Sequence, residues 1–172
     1  MKLNKVLGPA LWGAGLGFVA FIILSFNVMG TEREFHVPES MAKIPLVQEV
    51  MDNKAAAGIL EVGGKKVGIQ RAYMGLFDNG SEKAVLRYVI VRNHGSAQEL
   101  LENLRAGMVA AKKYDPPVDE RIGNGGFMTR GDGMEQVVFT TENMVYWVSL
   151  KTPRVDEVIN WILKHNFRKG NY

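Results

Sequence analysis

The chain has 172 residues and a formal net charge of +3, with 21 Lys and Arg set against 18 Asp and Glu and no cysteine. The missing thiol excludes disulfides, cysteine nucleophiles, c-type haem attachment and zinc–thiolate sites together. The basic residues are scattered among the acids, so the basic stripe of a nucleic-acid binder is absent and no nucleic-acid partner is expected.

Residues 1–5 form a short tail with Lys2 and Lys5, and the next element is the run Val6–Met29, VLGPALWGAGLGFVAFIILSFNVM. It holds no ionisable side chain and exceeds the ~20 apolar residues that cross a bilayer as a helix. A buried core helix of that length would show a polar face, and this run shows none. It predicts one transmembrane helix over residues 6–29. A secretory signal has an apolar region of only about 7–15 residues before a small-x-small site. Val28-Met29-Gly30 fits such a site poorly, so the helix is expected to remain as a signal-anchor. Lys2 and Lys5 put the N-terminus in the cytoplasm by the positive-inside rule. The expected location is the bacterial inner membrane, single-pass, with the C-terminal domain periplasmic.

Within this run Ala10, Gly13, Ala14, Gly17 and Ala20 recur at spacings of three and four. Such a small-residue face lets two helices approach closely, which predicts packing against another integral membrane subunit. The general abundance of glycine in membrane helices is the competing explanation. Leu11, Phe18, Phe21, Ile22 and Leu24 suit lipid, and Pro9 falls in the first turn, where its missing N–H costs nothing. No His, Asp or Glu occurs in the run, so it offers no ligand for haem iron or a chlorophyll magnesium. No cofactor is expected.

Residues 30–45 read as a polar linker, and residues 46–172 as the extramembrane domain. Leu46, Val47, Val50 and Met51 recur at helical spacing and predict a short amphipathic helix after Pro45. GILEV, Gly63-Gly64 and KKVGIQRAYMGLF then read as a hairpin, the paired glycines supplying the turn. Asp78-Asn79-Gly80-Ser81 is another turn. AVLRYVIV, residues 84–91, is apolar on both faces and predicts an interior strand. Ser96-x-x-Glu99 is a capping box opening a helix. Its stripe is Ala97, Leu100, Leu101, Leu104, Met108 and Ala111, and Asp115-Pro116-Pro117 ends it.

A strand near Glu120–Ile122 leads to the loop Gly123-Asn124-Gly125-Gly126. Phe127–Arg130 and Glu135–Thr141 flank the turn Gly131-Asp132-Gly133. Met144–Leu150 (MVYWVSL) is the next strand. Thr152 and Pro153 open a last helix with Val155, Val158, Ile159, Trp161 and Ile162 on its apolar side. The expected fold class is α+β: the transmembrane helix, then one antiparallel sheet of about five to six strands with two amphipathic helices packed on one face. Along MVYWVSL one face carries Met144, Tyr146, Val148 and Leu150. If the helices cover that face, Val145 and Trp147 look outward as an apolar partner-contact patch.

The residues that carry chemistry are sparse. No nucleophile stands beside a base and an orienting group, and no Gly-x-Ser-x-Gly elbow occurs. The glycine loop at 123–126 lacks the helix a phosphate-cradling loop needs. His36, His94 and His165 are far apart, which argues against a metal site. Arg130-Gly131-Asp132 is a hairpin turn by context, and Asn79-Gly80-Ser81 a formal glycosylation acceptor.

The chain therefore reads as a non-enzyme. The first expectation is a single-span accessory subunit of a larger membrane complex of respiratory or photosynthetic type, with other integral membrane subunits and the lipid bilayer as partners. The alternative is a stand-alone anchored periplasmic binding module, sensor or assembly factor. Its pocket would lie between sheet and helices or at the glycine loops.

Overall fold

The backbone alternates and turns so that eight strands join in one antiparallel sheet. The structure, a computed structural model, describes residues 36–64 and 67–165. The strands are β1 (Ser40–Met41), β2 (Ile44–Met51), β3 (Ile69–Asp78), β4 (Lys83–Val91), β5 (Val118–Glu120), β6 (Gly126–Gly131), β7 (Met134–Thr141) and β8 (Met144–Lys151). The helices are α1 (Asp52–Gly63), α2 (His94–Ala111) and α3 (Val155–Lys164). Strand order across the sheet is β1-β2-β3-β4-β8-β7-β6-β5. Among the described residues no helix is long and apolar enough to cross a membrane. The transmembrane expectation for residues 6–29, with Ala10, Gly13, Ala14, Gly17 and Ala20, lies outside the described residues.

The expectation of about five to six strands with two helices on one face is overturned: the sheet has eight strands and the described residues hold three helices. The first difference is at residues 44–63. The segment after Pro45 expected as a helix is strand β2, and the segment expected as a strand is helix α1. Ala55, Ala56 and Ala57 are strong helix formers, and Ala55, Ala56, Ile59 and Gly63 recur on the buried side of the helix. Gly63-Gly64 closes the helix instead of turning a hairpin. The Gly64 N–H donates to Leu60 O at 3.0 Å with φ 76°, the left-handed region that glycine enters without strain. β2 sits near the sheet's edge and shows mostly exposed side chains, so its apolar residues lack the alternation that marks a half-buried strand.

The second difference is the placement of the helices. α1 and α2 cover one face, over Ala72, Val89, Val91, Val138 and Val145. α3 covers the other, over Leu86, Tyr88, Val137, Phe139, Tyr146 and Val148. The reason is the composition of β4 and β8: both of their faces are apolar, so each face needs a layer. On the α3 face Tyr73 stacks on Tyr88 and Phe139 on Tyr146, each pair with ring centroids 4.8 Å apart. Val37, Met41 and Ile44, from the stretch read as linker and domain start, are buried in this same layer.

α2 buries Ala97, Leu100, Leu101, Leu104 and Met108 of the stripe its spacing implied, whereas Ala111, at the helix's last turn, is exposed. Its cap differs from the capping-box reading: Asn93 Oδ1 accepts from the Ser96 N–H at 2.9 Å. α1 and α2 meet at Gly107, where a Cβ would lie 1.9 Å from the Val62 carbonyl oxygen. Only a glycine permits that approach of backbone to backbone.

Candidate binding cleft

The strand AVLRYVIV carries one charged side chain, Arg87, in the middle of its apolar run. Alternation puts Arg87 on the α1/α2 face with Val85, Val89 and Val91. In the β4–β8 register Arg87 stands opposite Trp147, and Val85 opposite Ser149. One strand further, Gln136 stands opposite Ser149. α1 and α2 pack closely over the Val89–Val145 end of this face and less closely over the Val85–Gln136 end. There a cleft of about 620 Å³ opens to solvent above a floor whose Gln136, Trp147 and Ser149 are nonetheless buried. Its helical walls carry small residues, Gly58 on α1 and Gly107, Ala110 and Ala111 on α2. A Cβ on Gly58 would stand 3.7 Å from Arg87 Nε, so the absence of side chains is what keeps the space open.

The cleft floor is hydrogen-bonded through three strands. Trp147 Nε1–H donates to Gln136 Oε1 at 2.8 Å, and Ser149 Oγ donates to the same oxygen at 2.6 Å. The Gln136 amide nitrogen donates to Gly131 O at 3.1 Å, which sets the orientation of the amide. Arg87 Nη1 donates to Ser149 Oγ at 3.2 Å, and its guanidinium carbon lies 5.0 Å from the Trp147 ring centroid. A guanidinium has five N–H donors. Among the described residues no carboxylate comes within ion-pair distance of this one. By contrast Arg105 is paired with Asp119, Arg130 with Glu135 and Arg154 with Glu82. Burial pushes the Arg87 guanidinium below its ordinary pKa, opposed by nearby Tyr114. Glu61, Lys113 and Asp132 also line the cleft, and Lys113 Nζ lies 3.4 Å from Asp132 Oδ2.

The residues singled out in the sequence fall as follows. Val145 and Trp147 do not form an exposed patch: they are 0% and 6% exposed, because their face is the one α1 and α2 cover. Val145 is core, whereas Trp147 helps to build the cleft floor. In Arg130-Gly131-Asp132 both charged side chains are engaged, Arg130 by Glu135 and Asp132 by Lys113. The glycine loop packs on β7, with the Asn124 N–H donating to Thr140 O at 2.7 Å. Asn79 Oδ1 caps its own turn, accepting from the Glu82 N–H at 2.8 Å. His94 and His165 contact the carbonyls of Glu142 and Trp161 through Nδ1, and no group of three His, Asp or Glu able to hold a metal occurs among the described residues.

Sequence reasoning missed Arg87, Gln136 and Ser149. The available signal was the charge inside AVLRYVIV, since a charged side chain in a two-faced apolar strand must be paired or put to use. Compared with known proteins, the chain matches no family model, no curated protein and no solved structure.

Proposed function

We propose that the folded domain is a non-catalytic binding module that holds a small ligand in the cleft between α1, α2 and the sheet. The observation that carries this reading is the cleft floor, where Gln136, Trp147 and Ser149 are locked by mutual hydrogen bonds beneath about 620 Å³ of open space. Small-molecule sites have volumes of about 300–1,000 Å³ and a few fixed polar groups among apolar walls. In this proposal Val6–Met29 anchors the module to the bacterial inner membrane with the domain on the periplasmic side, a reading supported by the uncharged length of that run.

The test is thermal unfolding of the full chain in mild detergent against a panel of small carboxylates, phosphates, amines and neutral sugars. At least one class raises the melting temperature saturably, and Gly58→Phe, which fills the cleft, abolishes the rise. A panel with no hit, or hits indifferent to Gly58→Phe, overturns the proposal.

A second reading, the accessory subunit of a larger membrane complex, is supported by Gly13-x-x-x-Gly17 and its flanking small residues. Blue-native electrophoresis after gentle solubilisation tests it, and migration as a free monomer counts against it.

A further inference from the structure

From the Arg87 geometry we infer that the cleft takes a small organic monocarboxylate, an assignment that rests on the binding-module reading. Arg87 is the cation of the cleft floor and has one hydrogen-bond partner there, Ser149. Its Nε side lies beneath Gly58, where no side chain covers it. A guanidinium edge with two parallel N–H groups matches a carboxylate in a bidentate pair. The other floor groups are tied to one another: Trp147 and Ser149 donate to Gln136, and Gln136 donates to Gly131 O. Most of the floor's unfilled hydrogen-bonding capacity is therefore the arginine's, with one of its five N–H donors engaged by Ser149.

Charge count selects the carboxylate over phosphate. A phosphate monoester carries close to two negative charges at neutral pH. The other cation lining the cleft, Lys113, faces Asp132 at 3.4 Å, and Glu61 adds a further negative group to the wall. The two cations of the lining, Arg87 and Lys113, are matched by Glu61 and Asp132, so the pull on an anion is local to the unpaired guanidinium. That suits one negative charge, and the acidic groups disfavour a second. The body of the ligand meets Val62, Val85 and Met134, which are apolar. An aliphatic or aromatic acid satisfies both ends of the site.

The arrangement also gives Trp147 a role that packing alone does not explain. Its ring lies beside the Arg87 cation, and its indole N–H is tied to Gln136. The ring thus holds the guanidinium in place by cation–π attraction without neutralising it, which a carboxylate partner would do. The positive charge stays available.

The experiment titrates hexanoate and phenylacetate against the full chain in mild detergent, followed by calorimetry and thermal shift. Hexanamide, phenylacetamide and inorganic phosphate serve as parallel probes. The acids bind and raise the melting temperature, while their neutral amides bind roughly tenfold or more weakly. Arg87→Met weakens the acids to the level of the amides, and Arg87→Lys restores part of the difference. Circular dichroism confirms that each variant is folded, and Gly58→Phe, which leaves the arginine intact, provides a second route to loss of binding. Equal binding of acids and amides, lost in Gly58→Phe, overturns the carboxylate assignment and leaves the binding module standing. Phosphate binding in preference to both acids also overturns the assignment. Binding of no probe overturns the carboxylate assignment and leaves the binding module to the amine and sugar arms of its own panel, and binding indifferent to Gly58→Phe overturns both readings.

Discussion

The guanidinium of Arg87 stands 5.0 Å from the centre of the Trp147 ring, directly across the β4–β8 ladder, and no acidic side chain among the described residues is paired with it. A partly buried charge held by a ring and one hydroxyl is a stability liability that a bound anion would relieve. Arg87→Met keeps the length of the side chain and removes the charge. The variant is expected to melt at or above the temperature of the parent chain when no ligand is present. A drop of several degrees would identify Arg87 as a structural cation instead.

Gly58 and Gly107 both lie in helices beside the cleft, yet they make opposite predictions. A Cβ at Gly107 would overlap the Val62 carbonyl oxygen at 1.9 Å, and backbone cannot rotate aside. Gly107→Ala is expected to destabilise by about 1–3 kcal/mol through forced separation of α1 and α2. At Gly58 the nearest atom to a Cβ is 3.7 Å away, an ordinary contact. Gly58→Ala is expected to be neutral or to stabilise by up to about 1 kcal/mol, the helix propensity difference. Chemical denaturation of the two variants side by side checks the pair.

Gln136 is 3% exposed and its amide oxygen serves two donors, Trp147 and Ser149. Gln136→Ala leaves both without an acceptor, which costs about 1–3 kcal/mol for a buried unsatisfied group. Gln136→Glu retains the accepting oxygen, replaces the amide nitrogen that donates to Gly131 O by a second oxygen, and introduces a negative charge near Arg87. It is expected to abolish binding of carboxylate probes in a chain that circular dichroism finds folded, with a melting temperature below that of the parent because the Gly131 hydrogen bond is lost.

Glu82 ties the β3–β4 turn to the start of α3. It accepts from Arg154 Nε at 2.9 Å and Nη2 at 2.7 Å, and from Thr152 and Asn79. The Arg154 hydrogen bonds, then those of Thr152 and Asn79, pull its pKa from 4.5 to about 2. The folded value lies below the unfolded one, so the stabilisation is full above the ordinary 4.5 and is lost as pH falls from there toward about 2. Glu82→Gln is expected to flatten the stability profile in that acid window and to change its slope little above it. Melting temperature measured against pH for both chains checks this.

Several elements were legible because their signal is local. The stripe Ala97, Leu100, Leu101, Leu104, Met108 has one period only, the helical one, and Gly131-Asp132-Gly133 sits where two alternating runs must reverse. Residues 44–63 were not legible. Leu46, Val47, Val50 and Met51 fit a helical spacing, but they belong to a strand near the sheet's edge whose side chains are mostly exposed and need no alternation. That misassignment displaced α1 and with it one wall of the cleft. The two-sided placement of the helices was in principle readable from AVLRYVIV, since a strand apolar on both faces cannot leave either face bare. The cleft floor was beyond local reading. Arg87, Gln136, Trp147 and Ser149 meet only through the registers of β4, β7 and β8, and long-range register is written in pairing, not in spacing.

The contact of Gly107 with the Val62 carbonyl carries a consequence for what the cleft admits. Because two main chains abut there, the spacing of α1 and α2 along that wall cannot be altered by any rotamer change. A solute lying against that wall must therefore conform to it, since the main chains there cannot yield to the solute.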